Sequence, residues 1–442
     1  MTAPGSLGRA DVELLRKEFA ADPAYRRTQN AVTQVTVDDI ALDRDVVMGT
    51  DHTVSHLLDD WKVTNQKQSG RCWLFAGLNL IRPGAMKALN LKDFEFSQNY
   101  TMFWDKLERA NYFLEAVIET ADREVDDRTV AYILDSVASD GGQWNMFVAL
   151  VAKHGLVPKS AMPETQSSSS TARMNAVLRS VLRQGARTLR GLSSVDEMRA
   201  YKREILTVAH RTLCIHLGTP PERFTWQWTD ADREFHRDGE LTPQEFAAKY
   251  VTLPVSDYVC LVDDPRPTSP RGRTFTVDFL GNVVGGPRVV YLNVGPAVLK
   301  DVAMQAIVSG EPAWFGCDVG KMMRRDLGIW DARLFDYPSI YDTPFDLDKA
   351  ARLTYHETQM THAMLFTGVD VHDGAPRRWR VENSWGDEGG VKGFYTMNDS
   401  WFDEYVFEVA TRRDRLPADL QQALSQEPIV LPAWDPMGAL AR

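Results

Sequence analysis

Cys72 is the residue of this sequence best placed to do chemistry. It follows Gly70-Arg71 and opens the apolar run CWLFAG, which reads as the first turn of a helix. Unpaired N–H groups at a helix start stabilise negative charge, so a thiol there is drawn toward the thiolate. A free cysteine titrates near ~8.5, and a helix start beside an imidazolium can bring that to ~3.5–7.5. Gln66, six residues upstream, could fold back to offer its side-chain NH2. With the backbone N–H of Cys72 it would make a two-donor oxyanion hole for acyl transfer. Taken alone, the two residues read more simply as a core thiol and a surface amide.

A second region changes that balance. The runs THAMLFTGVDV (361–371) and RRWRVENSWG (377–386) read as strands joined by a turn around His372-Asp373-Gly374. An antiparallel hairpin centred between His372 and Asp373 puts His362 opposite Asn383. The Asn383 oxygen could then accept from one imidazole nitrogen and fix the ring. Trp385, two residues on, could lie over the pair and keep water off it. The other histidines carry no local motif. His356-Glu357 starts like a zinc-peptidase helix, but Met360 stands where the second ligand is needed, so no metal is expected. Glycines at 281, 285 and 286 do not form a dinucleotide fingerprint, and no organic cofactor is expected either.

The elements that must position these groups are coarsely legible. The 442 residues are 44% hydrophobic and 25% charged, the mix of a soluble globular protein. At ~100–200 residues per domain they allow two to four units. No run approaches the ~18 apolar residues of a membrane span. The N-terminus lacks the apolar block of a signal peptide, so a cytoplasmic protein is expected. Four widely spaced cysteines should be free thiols in that compartment. The net charge of −11 argues against nucleic acid or an anionic membrane as partner.

Residues 1–60 read as a mixed N-terminal arm, with DVELLRKEF a short helix and TQVTVDDIAL (33–42) extended. Residues 61–164 are helical and carry Cys72, with Gly141-Gly142 as a break. QSSSST (166–171) reads as a small polar linker opening a helical block, 165–255. That block holds two long Arg-rich helices at about 172–218. A third helix follows, with Thr242 as N-cap, Pro243 at the first position, Glu245 closing a capping box, and Leu241 and Phe246 set for a hydrophobic staple. Strands dominate 256–420. Helices first and strands later indicate an α+β class. In the tail, 421–442, Pro428, Pro432 and Pro436 preclude a regular helix and favour an extended arm. Ile429, Leu431, Trp434, Met437 and Leu440 are more apolar surface than a solvated tail carries.

The segments NQKQSGRCWLF, MTHAM and VENSWG resemble the papain-type cysteine peptidases. FEFSQNYTMFWDKLERA (94–110), VPKSAMPET (157–165), FLGNVVGG, WFGCDVGK and LPAWDPMGAL (431–440) are similar to the bleomycin hydrolase/aminopeptidase C branch. The resemblance implies Cys72 as nucleophile, His362 as general base and acid, Asn383 as the residue orienting the imidazole, and Gln66 as oxyanion donor. It also implies that Gly141-Gly142 is a backbone strip for extended substrate, although a helix-breaking turn would look the same. Ser69 stands where secreted papain relatives carry a disulfide cysteine, in keeping with a cytosolic protein. His362 lies 290 residues after Cys72, against ~130–150 in those relatives, so 165–255 is the natural insertion in a two-lobed papain-like fold.

The branch further implies a homohexameric ring, peptide substrates with a free N-terminus, and a C-terminal arm in its own cleft. The arm's terminal carboxylate would meet the substrate's amino group. The chain ends GALAR, one residue beyond the branch-like GALA, so self-removal of Arg442 would leave Ala441 as the working terminus. The expected activity is therefore thiol-dependent aminopeptidase hydrolysis. A papain-like endopeptidase with its tail outside the cleft, or a catalytically idle binding ring, are the alternatives.

Overall fold

The computed structural model describes residues 5–58 and 61–441, with Ala441 as backbone only; Arg442 lies outside the described residues. Helices fill most of the first half and strands most of the second, giving a mixed α/β fold with one large mixed sheet. The Cys72–Leu89 helix is apolar on nearly every side and is buried accordingly. Asn90 ends it in the left-handed conformation, returning its N–H to the Lys87 and Met86 carbonyls. Gln98–Glu119 and Trp144–His154 pack around it. Ser97 caps the first of these by accepting from Tyr100 N.

The two Arg-rich helices are Ala172–Leu189 and Val195–Leu217, packed on each other and on Gln98–Glu119. The capping box before Pro243–Tyr250 forms as the sequence predicts. Glu245 N donates to Thr242 Oγ1 at 3.2 Å, and Thr242 N to Glu245 Oε2 at 2.7 Å. Three local expectations fail. The 165–255 block is not all helical, because Phe224–Thr229 and Phe235–Leu241 form an antiparallel hairpin. Its alternating Phe224 and Trp226 pack edge-on against Phe246, each at 5.4 Å. The QSSSST segment is no linker. Gln166–Ser169 is a short helix boxed by Thr165 and Ser168, and Gln68 N donates to the Ser169 carbonyl at 3.0 Å. Within TQVTVDDIAL, Thr36 caps a helix, Val37–Ala41, in place of an extended arm.

The sheet has twelve strands among the described residues. At its centre Ala313–Cys317 lies antiparallel between His362–His372 and Val406–Arg412. Ala375–Glu382 and Phe394–Asn398 extend it on the His362 side. On the other side follow Tyr258–Val262, Tyr291–Asn293 and Thr274–Val277. Ile429–Leu431 closes that edge, parallel to Thr274–Val277. Side chains alternate across the strands. One face, with Trp314, Ala363, Cys260 and Tyr291, joins the core of the Cys72 helix. The other, with Phe315, Phe366 and Trp379, packs with the Pro296–Val308 helix.

The tail is extended only as far as Leu431 and then winds into a 3-10 turn, Pro436–Ala441. Arg266 holds Asp435 through both guanidinium nitrogens, at 2.9 and 3.1 Å. The Arg128 guanidinium lies over the Trp434 ring at 3.9 Å. Met437 and Leu440 are buried in the same core as Cys72. All four cysteines are free thiols, and no helix among the described residues is long and apolar enough to cross a membrane.

Candidate active site

Cys72 is the first residue of its helix, with Arg71 in the capping position, and it is buried. Burial pushes its thiol up to about 11. The backbone N–H groups of Ala363, Trp73 and Cys72 itself point at the sulfur and work the other way, without prevailing. The lowered value expected from a helix start is therefore corrected: in this closed site desolvation outweighs the N–H groups. Burial likewise takes His362 down to about 4, against a smaller upward pull from its hydrogen bond to Asn383.

The hairpin differs from expectation by one residue at its turn. Asp373 (φ 50°) and Gly374 (φ 77°) make a two-residue loop with positive φ at both positions, the type that matches strand twist. His372 faces Ala375, Leu365 faces Glu382, and a bulge separates Phe366 from Gly368. His362 is therefore not directly opposite Asn383, which lies just beyond the end of its strand. The Asn383 side chain closes the offset, with Oδ1 2.8 Å from His362 Nε2. The same oxygen accepts from Ser384 N at 2.7 Å, which fixes which way the amide faces. An acceptor-only oxygen requires the ring proton on Nε2, leaving Nδ1 with a free lone pair. The Trp385 ring stands 5.1 Å from the imidazole, where the sequence places a shield.

Gln66 is buried and held at three points. Its N–H donates to the Ser384 carbonyl at 2.8 Å, Nε2 donates to the Ser69 carbonyl at 2.5 Å, and Oε1 accepts from Ser384 Oγ at 2.6 Å. One Nε2 hydrogen is left for another acceptor. Ser384 is a residue that sequence reasoning missed; its adjacency to Asn383 within VENSWG was the available signal.

Three further anchors fix these pieces. Arg71 forks onto Glu164 at 2.9 and 2.8 Å and reaches Ser69 Oγ at 2.9 Å. Burial works to raise the Glu164 carboxyl, and Arg71 outweighs it, for a net lowering. Asp140 accepts from Gly70 N (3.1 Å), Asn175 (2.8 Å) and Lys106 (2.6 Å), while its carbonyl receives the Trp73 indole N–H at 2.7 Å. Glu382, one residue before Asn383, accepts from Trp61 (2.7 Å), Asn79 (2.9 Å) and Arg82 (3.2 Å). Asn79 and Arg82 belong to the Cys72 helix, so that helix is bolted to the strand that presents Asn383. Gly141 and Gly142 are buried; the Gly141 carbonyl accepts from Arg109. A Cβ on Gly142 would stand 2.4 Å from the Trp73 indole, which explains the glycine there.

A helix-start thiol beside a His–Asn pair, with an anchored glutamine before it, defines the class as cysteine peptidase. The chain matches the Peptidase C1-like family over residues 6–438 and belongs to it. It is 42% identical to human bleomycin hydrolase, covering 98% of this chain and 99% of that protein. It is 40% identical to aminopeptidase C of Lactobacillus delbrueckii subsp. lactis, covering 97% of each. The crystal structure of PepW from Lactobacillus rhamnosis HN001 superposes with a TM-score of 0.96, at 43% identity and 99% coverage of both chains.

Proposed function

We propose that this protein is a thiol aminopeptidase that hydrolyses the N-terminal residues of peptides and related amides, as the names of its relatives indicate for them. The observation that carries the mechanism is the 2.8 Å contact of His362 Nε2 with Asn383 Oδ1. It turns the Nδ1 lone pair away from Asn383, and the neighbouring Ala363 N–H is aimed at the Cys72 sulfur. Attack of Cys72 on the substrate carbonyl passes the thiol proton to His362 Nδ1. The oxyanion takes hydrogen bonds from the free Gln66 Nε2–H and the Cys72 N–H, each worth ~2.7–4 kcal/mol in the transition state. His362 then protonates the leaving amine, activates water against the thioester, and regenerates the thiol.

Aminopeptidase specificity follows if the arm lies in the upstream half of the cleft, with the carboxylate of Ala441, freed by removal of Arg442, facing the substrate ammonium. The buried Met437 and Leu440, in one core with Cys72, support that placement. An N-acetylated substrate would leave the carboxylate unpaired, at a cost of ~1–3 kcal/mol. Gly141-Gly142 and Trp385 would border the bound residue. In this reading the fold is papain-like and two-lobed, 165–255 is its insertion, and the protein is a cytoplasmic homohexamer. The test is hydrolysis of a fluorogenic amino-acid amide and its N-acetylated twin under thiol, with Cys72→Ala as control. Turnover of the free amine alone is expected. Cleavage of both would make the protein an endopeptidase, and silence on both with an intact thiol would make it a binding protein.

A further inference from the structure

Arg324 and Arg325 set two guanidinium groups side by side in the sequence, and the fold treats them differently. Arg324 is satisfied by two carboxylates, Asp39 and Asp326, each at 2.6 Å. Arg325 is exposed, and no carboxylate among the described residues pairs with it. Its guanidinium lies over the Trp385 ring, 5.4 Å from the centroid. Trp385 in turn stands 5.1 Å from the His362 imidazole. These two steps bring the charge within about 10 Å of the base that protonates the leaving amine, a distance that about three residues of extended chain span. No step of the mechanism above uses it.

The backbone holds Arg325 in this place. Its carbonyl accepts from Gly390 N at 3.1 Å and from Gly328 N at 3.3 Å, which ties its loop to the turn that follows Trp385. A Cβ on Gly389 would stand 3.3 Å from Arg325 Cγ, so the glycine leaves the stem room to cross that turn. Asp387 and Glu388, on the same turn, are exposed and form no ion pair with it. The contact with the indole leaves guanidinium N–H groups free to fork onto a carboxylate. Arg325 also lies on the leaving-group side. Gly316, beside Leu440 of the arm, pairs with Ala363 along one edge of the His362–His372 strand. The Ala375–Glu382 strand, which leads into Asn383 and Trp385, lies along the other edge. A substrate whose upstream end meets the arm therefore sends its downstream residues over Trp385 toward Arg325.

We propose that Arg325 recognises a carboxylate on the leaving portion of the substrate, one or two residues downstream of the scissile bond. The inference rests on the reading of this site as an aminopeptidase with the arm upstream. The carboxylate has two sources, the C-terminus of a very short peptide or an Asp or Glu side chain soon after the first residue of a longer one. With a tripeptide, the arm's carboxylate and Arg325 hold opposite ends of one molecule, its ammonium and its carboxylate. The pair is open to solvent and therefore modest, so the expected preference is about three- to fivefold. It forms away from the reacting bond and equally before and during the reaction, so the gain falls on KM rather than kcat.

The test uses the full chain under thiol and substrates with a free amine. One pair is trialanine and its C-terminal amide, which reports the terminal carboxylate. The other is Ala-Asp-Ala amide and Ala-Asn-Ala amide, which reports the side chain. Alanine coumarin amide, with no downstream carboxylate, is the reference. Release of alanine should show a KM at least about threefold lower for the acidic member of one pair or of both. Arg325→Gln should bring that ratio close to unity, and Arg325→Glu should invert it. Each ratio compares two substrates on one enzyme, so a disturbance of Trp385 or His362 common to both cancels. Should the Gln variant not fold, Arg325→Met keeps an apolar stem on the indole and must show the same loss. Ratios near unity in the wild type, or a preference that survives Arg325→Gln, would overturn the assignment and leave the aminopeptidase reading standing. Silence on every substrate from an enzyme with a titratable thiol would overturn the aminopeptidase reading, and the carboxylate site with it.

Discussion

Ser384 touches no substrate in the proposed mechanism, yet its hydroxyl holds the acceptor end of the Gln66 amide at 2.6 Å. Ser384→Ala removes that donor and leaves two other links intact, because Gln66 N still reaches the Ser384 carbonyl at 2.8 Å and Gln66 Nε2 the Ser69 carbonyl at 2.5 Å. One neutral hydrogen bond contributes ~0.5–1.5 kcal/mol, and the loss falls on the orientation of an oxyanion donor rather than on ground-state binding. We therefore expect kcat to fall about 2- to 12-fold with KM unchanged. Gln66→Ala removes the donor itself, and kcat should fall ~10²–10³-fold. Because Ser384 acts through Gln66, the double variant should be no slower than Gln66→Ala alone. The assay is steady-state hydrolysis of a free-amine amino-acid coumarin amide under thiol, with active sites titrated by alkylation. Multiplying penalties in the double variant would refute the chain from Ser384 to Gln66 to the oxyanion.

Asn383→Ala leaves the His362 Nε2–H unpaired in a buried site, a cost of ~1–3 kcal/mol, so kcat/KM should drop about 5- to 160-fold in the same assay. His362 is held at about 4 by burial, against 6.5 for the free side chain. The unfolded chain thus binds the extra proton between these values. Stability should be complete above about pH 6.5 and fall by roughly 3 kcal/mol toward pH 4, and urea denaturation should show a smaller loss for His362→Gln. Gly142→Ala must displace the Trp73 indole and should cost ~1–3 kcal/mol of stability, read as a lower urea midpoint. If the enzyme trims its own terminus, the intact mass of wild type will be one arginine short while Cys72→Ala keeps Arg442; equal full-length masses exclude self-trimming.

The pairing of His362 with Asn383 was visible in the sequence because strand hairpins put distant numbers side by side. Its geometry was not, because the turn closes on Asp373-Gly374, whose left-handed backbone sets a register one residue later. A bulge and a diagonal side chain then restore a contact that a simple ladder count obtains for the wrong reason. The Thr242 capping box was legible because all its partners lie within four residues. Phe224–Thr229 escaped notice because a two-stranded ribbon set between helical stretches takes its stability from Phe246, a contact that no local period records. The nucleophile's protonation was misjudged for a similar reason. A helix start is a local signal, whereas the burial that outweighs it comes from the packing of the fold around Cys72. Ser384 shares that fate, since its partner Gln66 lies in another part of the chain.

The sharing of one core by residues far apart in the chain has a consequence for biogenesis. Cys72 emerges early, but its imidazole partner is encoded 290 residues later, and Met437 and Leu440 of the same core later still. At ~5–20 residues per second, synthesis separates the thiol from His362 by roughly 15–60 s. During that interval the ribosome carries a cysteine with no base beside it. A peptidase so arranged is unarmed while nascent chains, its own included, lie within reach, and it cannot be armed before His362 and Asn383 have been made.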